Sequence, residues 1–169
     1  IKSTLVLGSE QSLKRLRETK AIVRPDLSAA LANTAGSTVQ AAAAIPADVQ
    51  RVVRELVGKL PPEIGGGEGA DLLNALQWTS LAVEPPPKIG LKWTIQSKTE
   101  GDAVALRPRI LAALNLAGEE GRLKEVMPDF AELAIRLTPA VKGNRLELAL
   151  AGDEAQAVVK KMKEGPLKL

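Results

Sequence analysis

A β-hairpin followed by a helix recurs along this chain, and that recurrence constrains the fold more than any bulk property. Leu91-Lys-Trp-Thr-Ile-Gln-Ser97 leads through Lys98-Thr-Glu-Gly into Asp102-Ala103, a strand, a turn and a helix start. Leu146-Glu-Leu-Ala-Leu-Ala-Gly-Asp153 follows the same plan, and so does Thr4-Leu-Val-Leu-Gly-Ser-Glu10. The match extends upstream, since Leu81-Ala-Val-Glu84 precedes one copy as Pro139-Ala-Val-Lys142 precedes another. The unit is a hairpin and then a helix, and the first copy lacks its leading strand. Ile89, Leu91, Trp93 and Ile95 alternate with Gly90, Lys92, Thr94 and Gln96, so each strand has one apolar face to bury. The expected fold is α+β: a largely antiparallel sheet with helices packed on one face, built from repeated β-hairpin–helix units.

Local signals fill in the rest. A strand is expected over 3–7, then a helix behind Ser9 and Glu10 with Leu13 and Leu16 inward. A short helix is expected from Asp26 to Asn33. The run 37–45 is read as a strand of small residues under a close neighbour, stopped by Pro46. Val49, Val52, Val53, Leu56, Val57 and Leu60 have helical spacing over 47–60. The Pro/Gly-rich run 61–69 is the strongest break. The chain reads as one domain over 1–169, with two lobes, 1–60 and 70–169, if that run is a boundary. It lacks the Gly-Lys-Ser/Thr ending of a phosphate loop. A strand over 77–83 changes apolar phase between Trp78 and Leu81, which calls for a bulge or for cover on both faces. Helices are expected over 102–116, divided at Pro108 and closed by Gly118, and over 122–137, divided at Pro128. A second hairpin turns at Lys142-Gly143-Asn144. The last helix, 153–163, opens with capping-box spacing at Asp153 and Gln156.

Composition narrows the chemistry. The 169 residues include no His, no Cys and no Tyr, which excludes thiol redox, disulfides, Cys/His metal sites and histidine-based nucleophile systems. Acidic pairs such as Glu119-Glu120 and Asp153-Glu154, and the loop acids Glu63 and Glu68, fall at loops and helix starts, where capping and solvation explain them. Lys and Arg outnumber Asp and Glu only 23 to 20. The basic residues gather in two runs, Lys14, Arg15, Arg17, Lys20 and Arg24, and Lys160, Lys161 and Lys163. Large aromatics that could stack bases are confined to Trp78, Trp93 and Phe130, at core-like positions. Nucleic acid is therefore an unfavoured partner. No apolar run is long enough for a membrane span.

The run Leu5-Val-Leu-Gly-Ser-Glu10 with Leu13, the short helix at Leu27–Leu31, the small strand running into Pro46 and the hairpin–helix units resemble an uncharacterised family of bacterial extracytoplasmic domains. That resemblance implies a secreted, periplasmic or lipoprotein-like protein with no assigned activity, and it supplies no catalytic residues. The start at Ile1 fits a segment of a longer protein. The expected function is a non-enzymatic interaction or scaffold domain with a protein partner and no cofactor. On the polar side of the strand, Lys92, Thr94, Gln96 and Lys98 form a stripe that is the candidate interaction surface if that face is open. Two alternatives remain: a carboxylate-based hydrolase, which needs two acids of raised pKa in a deep pocket, and a weak polyanion binder, whose affinity falls steeply with salt.

Overall fold

The computed structural model describes residues 9–20, 22–46, 50–52, 55, 58–119 and 130–164. The strand expected over 3–7, the helix signal at 122–129 with Pro128, and residues 47–49, 53–54 and 56–57 lie outside the described residues; of the helix expected over 47–60, the described residues 50–52 and 55 are helical. The first described elements are two helices, α1 at Glu10–Glu18 and α2 at Pro25–Ala32. Then come β1 at Val39–Ala43, a 3-10 turn at Pro62–Ile64 and α3 at Gly69–Ala75. β2 at Leu76–Glu84 and β3 at Gly90–Ser97 precede α4 at Glu100–Glu119. The last described elements are α5 at Phe130–Leu137, β4 at Ala140–Lys142, β5 at Arg145–Ala151 and α6 at Gly152–Glu164.

The strands form one five-stranded sheet in the order β1-β2-β3-β5-β4, every neighbour antiparallel. Register decides which side chains share a face. Trp93 pairs with Leu81 and with Leu148, and Ile95 pairs with Thr79 and Leu146. This aligned apolar face carries the core. Leu133 of α5 and Ala155 and Val158 of α6 pack over Leu148 and Leu150. Ala103 and Leu106 of α4 pack over Ile95 and Leu146, with Leu72 and Ala75 of α3 at the margin. Four helices therefore cover the face that alternation assigned to the core. Each hairpin leads into one of them. The two units differ in strand length, 9 and 8 residues against 3 and 7, and in helix length, 20 against 13.

The opposite face is not left to water. α2 packs there against β1 and β2, with Ala30 fully buried, and Asn33 just past its end reaches Thr94 of β3. This is the close neighbour that the small side chains of β1 anticipate, on the side of Gln40 and Ala42. Trp78 also belongs to this polar face, since it pairs with Gln96, and Arg145 stacks over its ring at 5.7 Å. The phase change between Trp78 and Leu81 thus marks a strand whose better-covered face is the Trp78, Ser80 and Ala82 side under α2, while Leu81 on the other face stays 37% exposed. The register irregularity lies just upstream, between Leu76 and Trp78.

Two punctuation residues act otherwise than expected. α4 runs unbroken through Pro108. Pro108 and Val104, whose carbonyl would have met the missing N–H, lie on the exposed side of the helix, where water can take up the freed carbonyl. Gly118 lies inside α4 and does not close it. A Cβ there would come within 2.5 Å of Phe130 Cδ1, so the glycine seats the Phe130 ring of α5. At its start α4 is held by a reciprocal cap: Thr99 N–H and Oγ1 donate to Asp102 Oδ2, and Asp102 N–H donates to Thr99 Oγ1. The Gly-rich run 61–69 folds back on itself, with Leu60 N–H donating to Gly67 O and Gly69 N–H to Gly58 O. Arg109 of α4 lies against Gly65 and Gly67, whose φ values are +92° and +87°.

Candidate functional site

The stripe Lys92, Thr94, Gln96 and Lys98 has a different fate at each position. Thr94 is fully buried, and its Oγ1 accepts a hydrogen bond from Asn33 Nδ2 at 2.9 Å. The same Asn33 amide donates to Ser80 Oγ at 3.1 Å. Lys92 is half-buried, and its Nζ donates to Asn33 O at 3.0 Å, on the carboxyl end of α2, where a cation is favoured. Gln96 is buried; its Oε1 accepts from Arg145 Nε at 2.6 Å and its Nε2 donates to Ser97 O. Only Lys98, just past the end of β3, is exposed. Three residues of the stripe therefore hold α2 and the neighbouring strand β5 in place, and that stretch of the polar face is closed. The physical reason is that a helix rich in alanine can sit close enough to the sheet for one Asn to reach two hydroxyls.

Lys98 borders the place where the polar face stays accessible. A groove of about 680 Å³ runs between the start of α2, the exit of β1 and the start of β2. Pro25, Ala29, Ile45, Pro46 and Leu76 give it apolar walls, and Trp78 lines it. Gln50, Gln77, Lys98, Arg24 and Asp26 supply the polar groups. Arg24 grips Asp26 with two bonds, Nε to Oδ1 at 3.0 Å and Nη2 to Oδ2 at 2.6 Å. Those donors, with the Arg24 charge behind them, pull the Asp26 pKa down to about 2. The pair also fixes the entry to α2, whose first residue, Pro25, has the φ that a helix requires. Gln50 Nε2 is held by Ile45 O at 3.1 Å.

The other sequence candidates do not converge. Trp78 and Trp93 sit on opposite faces of the sheet, so they form no common binding face. Trp93 instead donates its Nε1–H to Thr79 Oγ1 at 3.0 Å. Glu63 and Glu68 are exposed around the Gly-rich turn, Asp153 and Glu154 are exposed at the start of α6, and Glu119 is exposed at the end of α4. Glu84 accepts from Thr38 N–H at 3.1 Å and Thr38 Oγ1 at 2.6 Å, and these bonds lower its pKa. Among the described residues no three acidic side chains come together so as to hold a metal ion, and no helix is long and apolar enough to cross a membrane. Of the second basic run, Lys160 is exposed on α6, and the side chains of Lys161 and Lys163 lie outside the described residues. Comparison with known proteins finds no matching family model, no similar curated protein and no similar solved structure. Sequence reasoning missed the Arg24–Asp26 pair as part of a groove. Its signal is Arg-Pro-Asp at a helix start, where the sequence assigns Arg24 to a basic run and Asp26 to the start of a helix.

Proposed function

We propose that this chain is a non-enzymatic interaction module, a segment of a larger extracytoplasmic protein, that receives a protein partner along the groove beside α2. One observation carries the reading. Asp26 is the one carboxylate among the groove's described residues, and Arg24 keeps it ionised far below neutral pH. A carboxyl in that state has no proton to give at neutral pH, and its oxygens are already engaged, so it is a poor general acid or base. What the groove offers is an apolar wall, an aromatic residue, amides and the ammonium of Lys98, the mixture that recognises a protein segment. The extracytoplasmic assignment rests on the resemblance of the strand–Gly-Ser–helix units.

A photo-crosslinking amino acid in place of Lys98 tests this in cells. It should trap a protein adduct that the same probe in place of Lys142, on the opposite edge of the sheet, does not trap. Absence of an adduct at Lys98, or identical adducts at both positions, overturns the groove as the contact. Turnover of an ester, glycoside or peptide that is lost in Asp26→Asn would replace this reading with the hydrolase.

A further inference from the structure

The segment from α1 to the start of α2 combines two features that seldom share one place. Lys14, Arg15, Arg17 and Lys20 are all exposed, against Glu10 and Glu18. Lys14 comes no nearer than 4.0 Å to Glu18, with both side chains largely in water. Immediately beyond, Ile22 and Val23 are 78% and 84% exposed, more than any other large aliphatic side chain described. Among the described elements, none packs extensively on α1. Arg24 is engaged with Asp26 and leads into Pro25, so the aliphatic pair projects from a fixed point.

We infer that this segment docks on an anionic lipid surface. The cations meet the lipid phosphates, and Ile22 and Val23 enter the interfacial layer. Cations alone would suit any polyanion, but two adjacent water-exposed aliphatic residues need an apolar layer beside the negative charge. A nucleic acid or a heparin-like chain provides the charge without that layer, and the segment offers no aromatic ring for stacking. The surface is independent of the groove beyond sharing Arg24 at its border.

Co-sedimentation with vesicles tests the inference, using phosphatidylcholine alone and phosphatidylcholine mixed with phosphatidylglycerol. The chain should pellet with the mixed vesicles only, and less so as salt is raised. Arg15→Gln and Arg17→Gln should each weaken partitioning roughly fivefold. Ile22→Ser with Val23→Ser should weaken it further at unchanged charge, while Ile135→Ser, at an exposed aliphatic residue on α5, should not. All these side chains are exposed, so unchanged thermal melts should accompany every variant. Equal pelleting with neutral vesicles overturns the inference. So does a serine pair that binds mixed vesicles as the parent does, which would leave a charge-only polyanion surface that heparin satisfies equally.

Discussion

Replacing Asn33 by Ala isolates what holds α2 to the sheet. The amide donates to Ser80 Oγ and Thr94 Oγ1, two hydroxyls in buried residues. Each bond contributes about 1 kcal/mol net, so losing both costs about 2 kcal/mol. The substitution gains a few tenths of a kcal/mol in helix propensity at the end of α2, too little to reverse the sign. For a chain of this size, that loss lowers the Tm by about 4–8 °C. The cause is separable from generic damage by a cycle with Ser80→Ala and Thr94→Val. Once all three polar groups are gone no hydroxyl is left without its donor, so the triple variant should be more stable than the sum of its parts implies, by about 1 kcal/mol or more. Urea titration gives each value, and the slope should stay constant because the unfolded chain exposes nearly the same area. Strict additivity, or an Asn33→Ala cost within about 0.5 kcal/mol of zero, would show that apolar contacts around Ala30 hold the helix and the polar network is incidental.

Two further perturbations probe other joints. Gly118→Ala sets a helix-propensity gain of about 1 kcal/mol against overpacking on Phe130, which costs about 1–3 kcal/mol, so calorimetry should show a net loss. Gly101→Ala in the same helix meets only Thr99 Oγ1 at 3.7 Å and should be neutral or stabilising. Acid titration addresses Asp26. Its folded pKa of about 2 lies below its ordinary value of 3.8, so the Arg24 pair stabilises the fold above about pH 4 and loses that contribution as pH falls towards 2. Arg24→Gln should flatten stability in that window, while the contribution of Glu84, held by Thr38 at the far end of β2, should persist.

Much of the sheet was legible because alternation is a strong signal wherever one face is buried. Leu91, Trp93 and Ile95 announced β3, and Leu146, Leu148 and Leu150 announced β5. The alanine run was read as a strand because Pro46 stopped it and Val39 opened it, and β1 occupies Val39–Ala43. Proline and glycine misled for a common reason. Their local costs are real, but they depend on surroundings that no local window contains. Pro108 is tolerated because its side of α4 faces water, and Gly118 is required by a ring twelve residues on. Neither fact exists until the helices are packed.

The same dependence explains the polar stripe. Alternation correctly separated Lys92, Thr94 and Gln96 from the apolar face, but polarity says only that a side chain wants a hydrogen-bonding partner. It does not say whether that partner is water, another protein or the chain itself. Here the chain provides it, through Asn33 and Arg145. Thr94 lies sixty-one residues from Asn33, and Gln96 lies forty-nine from Arg145. The one clue in the sequence is size: a helix carrying Ala29, Ala30 and Ala32 beside a strand carrying Ala41 to Ala43 invites the close approach that lets a short Asn reach buried hydroxyls. A polar strand face opposite an alanine-rich helix is therefore better read as a seat for that helix than as an open surface, and the accessible site should be sought at the helix margin, where Lys98, Trp78 and the Arg24–Asp26 pair meet.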